Sequence, residues 1–256
     1  MGSGLADGCG SSGRLAPQSS RAAVAGTGAE VITDSLRLFD PARQRLIPVA
    51  TYAPAPDPAT GSRRLPRLRV ALLNHGYGGH NTDYSFLARN LAAHGYFVAS
   101  VQHELPGDEP IATTGNLAQA RRPNWERGVQ NQLFVLRELR RTRPELDYRH
   151  LLLVGHSNGG DMVMLFAQEH PALVWRVISL DNRRMPLPRA RRPLVLTLRS
   201  SDQVADEGVL PTPAEQAKYG TQICQLAHTK HNDMWDGATE LQRQEMNALI
   251  TRFLAQ

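Results

Sequence analysis

Residues 151–162 read LLLVGHSNGGDM, a run of branched apolar side chains that breaks into glycines on either side of a serine. Leu151–Val154 has the residue type of a strand buried on both faces, and DMVMLFAQEH, starting at Asp161, has the composition of a helix. A serine between glycines at such a junction is either turn chemistry with a helix cap, or a hydroxyl presented on a sharp bend. The spacing Gly155-His156-Ser157-Asn158-Gly159 is G-x-S-x-G. A serine on a tight strand-to-helix turn takes strained backbone geometry, and only small residues two before and two after it let the chain pass. The hydroxyl then stands at a helix N-terminus, where amide groups favour developing negative charge.

The chain around this junction alternates regularly. VITDSLRLF and QRLIPVATY, joined by DPAR, read as an opening antiparallel hairpin. A Pro-rich loop, PAPDPATGSRRLP, leads into the short apolar strand RVALLNH. DYSFLARNLAAHG has helical spacing and stops at Gly95, a plausible C-cap. YFVASVQH is a strand, ELPGDEPIATTGNLAQARRPN is irregular, and WERGVQNQLFVLRELRRT is a helix with Val129, Leu133 and Leu136 in register. Strands WRVISLD, PLVLTLRS and TQICQLA and a closing helix, ATELQRQEMNALITRFL, follow. Apolar strands separated by helices predict an α/β fold: a mostly parallel sheet, helices on both faces, and the hairpin as its antiparallel edge.

The 256 residues suffice for one substantial domain, assigned here to 29–256. Residues 1–28 are Gly, Ser and Ala rich, without aromatics, and are expected to be a disordered tail. The tail lacks a signal peptide's apolar region, although Cys9 followed by small residues leaves a processed start open. Localisation is cytoplasmic by default and exported if that tail is a processed remnant. Cys9 and Cys224 have neither a disulfide framework nor metal spacing around them. No apolar stretch reaches the length of a membrane span, so a soluble chain is expected. Net charge is +5, and the 29 basic residues include only two lysines, Lys218 and Lys230. The arginines run from Arg14 to Arg252 without a nucleic-acid-binding motif, which reads as a solvated, Arg-biased surface rather than a nucleic-acid interface.

An activated serine needs a base, and in folds built on this turn the base comes late in the chain, after the acid. His228 and His231, in LAHTKHNDMWD, follow the last strand. His231 is favoured because its loop can reach back over the sheet. The acid that orients it is assigned to Asp202, directly after PLVLTLRS, with Asp206 and Asp181 as alternatives. A tetrahedral oxyanion needs donors. Asn158 offers its amide, and the glycine-rich loop NHGYGGH offers a second, assigned to Tyr77. That loop lacks a P-loop lysine and G-x-G-x-x-G spacing, which argues against phosphate binding. Arg183 and Arg184 lie near the strand ends and suit a negatively charged substrate group. Phe86, Leu87 and Trp125 are candidates for an acyl pocket.

On the strength of NHGYGG, DYSFLARNLAAHGYFVASVQH, LLLVGHSNGG, Asp202 and HNDM, the chain resembles the α/β-hydrolase superfamily over residues 30–256. Within it, the chain is most similar to dienelactone hydrolases and platelet-activating-factor acetylhydrolase-like esterases. The resemblance implies Ser157 as nucleophile, His231 as base, Asp202 as acid, and the amides of Tyr77 and Asn158 as oxyanion donors. It implies a serine esterase acting on a small-molecule ester, with no metal or organic cofactor. Dienelactone hydrolases proper use cysteine, so serine here favours esters over lactones. Only NRRMPLPRARR separates the sixth and seventh strands, which leaves no room for a large lid. A serine peptidase or amidase, or a non-catalytic binding member of the fold, are the alternatives; oligomeric state stays open.

Overall fold

A computed structural model describes residues 30–56 and 67–256. The 1–28 segment, expected to be a disordered tail, and most of the Pro-rich loop lie outside the described residues.

The opening hairpin forms as the alternation requires. β1 (Val31–Asp40) and β2 (Arg45–Pro54) pair antiparallel in continuous register, from Val31 opposite Pro54 to Asp40 opposite Arg45. β2 also pairs antiparallel with β4 (Tyr96–Val101). Every other neighbour is parallel. The sheet order is β1-β2-β4-β3-β5-β6-β7-β8, with β3 at Arg69–Asn74, β5 at Asp147–His156, β6 at Arg176–Leu180, β7 at Leu194–Arg199 and β8 at Gln222–Gln225. The strands of the parallel centre are near-continuous apolar runs because both of their faces are covered.

One covering layer is α3 (Arg122–Thr142) and α4 (Ser157–Glu169), which pack Trp125, Val129, Leu136, Val163 and Phe166 onto the sheet. The opposite layer is α1 (Ser85–Ala93) and α6 (Glu240–Leu254), with Leu87, Leu91, Met246, Ile250 and Phe253. α1 ends where expected, with Gly95 at φ +80° just past it. α3 begins three residues before Trp125 because Pro123 sits in its first turn, where a missing amide is harmless. Two short helices, α2 (Leu117–Ala120) and α5 (Pro213–Tyr219), fall in stretches without helical spacing. Neither buries a residue, so neither leaves an apolar period to read. Their signals are caps instead: Asn116 accepts from Gln119, and Thr212 and Glu215 form a reciprocal capping box.

The connection from β6 to β7 contains no helix, and this brings three strand ends into line. Ser157 follows β5, Asp181 follows β6 beside it, and the segment after β8 returns across the end of β7. No described helix is long and apolar enough to cross a membrane.

Candidate active site

At the β5–α4 junction the chain turns from strand to helix in one residue. Ser157 occupies the left-handed region at φ +51°, a conformation that a residue with a side chain adopts only when its surroundings impose it. The flanking glycines explain how. A Cβ on Gly155 would stand 2.2 Å from the carbonyl oxygen of Gly159, and one on Gly159 would stand 2.4 Å from the carbonyl oxygen of His75. Any larger residue at either position would push the turn open. Asp181 is held in the same way at φ +56° directly beyond β6. Besides Gln44 in the opening hairpin, these are the non-glycine residues with positive φ among the described residues. Both sit at the ends of neighbouring strands.

His231 lies between them. Its Nδ1 is 2.7 Å from Asp181 Oδ2 and its Nε2 is 2.8 Å from Ser157 Oγ. With the Nδ1 proton donated to the carboxylate, Nε2 is left to accept from the serine hydroxyl. The structure therefore corrects one expectation: the acid against the imidazole is Asp181, not Asp202. Asp202 Oδ1 instead accepts the backbone N–H of His231 at 2.7 Å. Its exposed carboxylate pins the loop, while the buried Asp181 holds the ring. The reason is strand order. β6 is next to β5, so its end is one strand from Ser157; Asp202 lies beyond β7, on the solvent side of the returning loop. Asp206 is exposed, its amide bonded to the carbonyl of Arg183. His228 is exposed, its carbonyl bonded to Gln242.

Asp181 is heavily supplied with donors. Burial pushes its carboxyl up, but the His231 hydrogen bond, the Arg199 charge and Ser200 outweigh that, and it ends below the ordinary carboxylate value. Ser200 donates its hydroxyl at 2.7 Å and its amide at 3.1 Å. Arg199, itself buried on β7, places Nη2 2.9 Å from Asp181 Oδ1 and donates Nη1 to the Asn182 carbonyl at 2.7 Å.

The loop after β3 closes the other side. Gly76 N–H donates to Tyr84 Oη, Gly78 N–H to Glu104, Gly79 N–H to the Gly76 carbonyl, His80 N–H to Asp83 and Asn81 N–H to Gln102. Tyr77 N–H, in the middle of this set, has no acceptor among the described residues. The amide of Asn158 is one of the first in α4, where no preceding carbonyl is in place to accept it. The Asn158 side chain is occupied elsewhere: its Oδ1 accepts from Trp125 Nε1 and its Nδ2 donates to Asn124, both at 2.8 Å.

A single hydrogen-bonded chain joins the two loops, and the sequence did not announce it. Gly76 N–H donates to Tyr84 Oη at 3.1 Å, and Tyr84 O–H donates to His156 Nδ1 at 2.8 Å. His156 Nε2–H then donates to the backbone carbonyl of His231 at 3.0 Å. This order requires a neutral His156. Burial, followed by the nearby His231, depresses its pKa to about 3.

Ser157 and His231 open into a cavity of about 520 Å³ whose walls include Tyr77, His80, Asp83 and Trp235. None of the proposed acyl-pocket residues lines it. Leu87 and Trp125 are core, and Phe86 packs against the α1–α6 layer. Arg183 and Arg184 do not line it either; the Arg183 guanidinium is bonded to Gln203 and to the Val204 carbonyl. Among the described residues no cluster of His, Cys, Asp or Glu has the arrangement of a metal site.

The eight-stranded, mostly parallel sheet with helices on both faces is the α/β-hydrolase fold. A family model described as "Serine aminopeptidase, S33" matches residues 66–181. That match spans Tyr77, Ser157 and Asp181 and stops before His231. Two solved structures are similar. A ferulic acid esterase from Streptomyces cinnamoneus is 21% identical, with 84% of this chain and 78% of that one covered at a TM-score of 0.56. A dienelactone hydrolase-like promiscuous phosphotriesterase from metagenomic libraries is 14% identical, with 87% and 98% covered at a TM-score of 0.63. At these identities both likenesses are of fold.

Proposed function

We propose that the protein is a serine hydrolase of carboxylic esters, with Ser157 as nucleophile, His231 as general base and Asp181 as its orienting acid. The observation that carries this reading is the hydrogen-bonded line Ser157–His231–Asp181 on a strained strand-to-helix turn, opening into a cavity. The hydroxyl attacks the ester carbonyl as His231 Nε2 takes its proton. The tetrahedral oxyanion accepts from the amides of Tyr77 and Asn158. The carbonyl re-forms, and the C–O bond to the alcohol breaks as the imidazolium returns the proton to the leaving oxygen. Water then attacks the acyl-enzyme with His231 again as base, releasing the acid and regenerating Ser157. Every proton in this cycle moves between Ser157, substrate, water and His231. Asp181, already stabilised as an anion by Arg199 and Ser200, stays ionised throughout.

The aminopeptidase family match over residues 66–181 supports a second reading, amide or peptide hydrolysis by the same groups. The reaction differs only in the leaving group that His231 must protonate. Labelling with a fluorophosphonate, mass mapping of the adduct, and turnover of matched esters and amides test both. An adduct on Ser157 that disappears in His231→Ala, with esters turned over faster than matched amides, is the expected result. Labelling elsewhere, or none in folded protein, contradicts both readings.

A further inference from the structure

We propose that Tyr77 and Trp235 are the two walls of a slot for the alcohol part of the substrate, and that the preferred alcohol carries a flat aromatic ring. This rests on the ester-hydrolase reading and names the substrate class of that site. Three aromatic side chains are exposed among the described residues. Phe39 lies on the edge hairpin, whereas Tyr77 (46% exposed) and Trp235 (43%) both line the cavity at Ser157. One exposed aromatic needs no explanation. Two on different loops, facing one cavity that holds the candidate nucleophile, form a binding surface.

Trp235 is also held rigidly, as a stacking surface must be. It follows Met234, which is fully buried. Asp236, next in the chain, accepts the amides of Ser85 and Phe86 at the start of α1 at 2.9 and 3.0 Å, and donates its own amide to the Asp83 carbonyl at 2.9 Å. The indole lies so close to Gly237 that a Cβ there would stand 2.5 Å from its Cζ2. The Gly237 backbone therefore supports one edge of the ring, while Trp235 as a whole remains exposed. The backbone on either side of Tyr77 is anchored: the Gly76 amide donates to Tyr84 and the Gly78 amide to Glu104 at 2.8 Å.

The chemistry says which half of the ester lies here. His231 Nε2 must reach the leaving oxygen to return its proton, so the alcohol departs across the His231 loop. Asn232 and Trp235 of that same loop line the cavity. Aromatic faces select rings that stack, which a saturated ring of equal size does not do.

The test compares kcat/KM for benzyl acetate and cyclohexylmethyl acetate, whose alcohols are similar in size and apolarity while only one is flat. Ethyl phenylacetate and ethyl cyclohexylacetate form the matching acyl-side pair. The expected result is a preference of about tenfold for the benzyl ester and about twofold or less in the acyl pair. Trp235→Leu should lower the benzyl preference to about twofold, while Trp235→Phe keeps most of it. Equal rates on the two acetates, a preference confined to the acyl pair, or an unchanged ratio in Trp235→Leu would overturn the slot and leave ester hydrolysis standing. Failure of the wild type to hydrolyse any of the four esters would overturn the hydrolase reading and the slot together.

Discussion

Asp181 and Asp202 both touch His231, one at the end of β6 and the other just past β7, and they touch it in opposite ways. Asp181 is buried, takes the ring N–H, and is surrounded by Arg199 and by two donors from Ser200. Asp202 is exposed and takes the backbone N–H of the same histidine. The first contact sets the tautomer and orientation of the imidazole; the second sets where its loop lies. Touching the backbone of His231 is not the same as holding its ring, and substitution should separate the two.

The largest separation is expected in turnover. Asp181→Asn removes the acceptor that fixes the Nδ1 proton and should lower kcat about 10⁴-fold. Asp202→Asn keeps an oxygen for the backbone N–H and should lower kcat less than about tenfold. Steady-state kinetics on one ester check both. Comparable losses would mean that the two carboxylates share the role.

Stability gives the next contrast. Arg199→Gln leaves Asp181 buried without its cation and should destabilise the fold by about 3 kcal/mol, measured by urea unfolding. The Asp202 carboxylate is solvated, and its loss should be small on that scale. Asp181 has a depressed pKa, so its contribution is complete above the ordinary carboxylate range and lost as pH falls through the folded value. Without Arg199 the carboxyl protonates more readily, and the loss of stability on acidification should begin at higher pH. An unmoved acid transition would mean that Arg199 only packs.

A smaller effect is expected from His156, which ties the two loops together. It is neutral when folded, with a pKa of about 3 against an ordinary 6.5, so between those values the unfolded chain binds the extra proton. Its contribution to stability is thus present above about pH 6.5 and is lost as pH falls toward 3. His156→Gln should show a smaller fall in thermal midpoint between pH 7 and pH 4 than the wild type. The buried His103, also held well below its ordinary value, keeps part of that fall in place. An identical fall in variant and wild type would mean that the chain from Gly76 to His231 carries no titrating weight.

The layered sheet, the antiparallel edge and the turn at Ser157 were legible because each follows from local pattern: alternation, apolar runs, and glycines two residues either side of a serine. The approach of His231 to Ser157 was legible from loop reach after the last strand. The choice of Asp202 over Asp181 failed for a physical reason. Both aspartates follow apolar strands, and only the lateral order β5-β6-β7, together with the left-handed backbone at Asp181, turns one inward and leaves the other in solvent. Neither is written in a local pattern. Leu87 and Trp125 fell to the core because helical apolar spacing marks a buried face, whatever lies near its end. Arg199 was hidden inside the apolar strand PLVLTLRS, where nothing local indicates that its charge is met across the strand ends. Trp235 sat four residues past the favoured base, in plain view, but its exposure and the cavity it lines with Tyr77 are tertiary facts.

The central claim is that Ser157 is activated by His231 through Asp181. The most direct measurement is the rate of fluorophosphonate labelling at Ser157 in the wild type, Asp181→Asn and Asp202→Asn, read by mass mapping. Fast labelling is expected in the wild type and Asp202→Asn, and labelling slowed by about three orders of magnitude or more in Asp181→Asn. Rapid labelling of Ser157 in folded Asp181→Asn, or slow labelling only in Asp202→Asn, would contradict it.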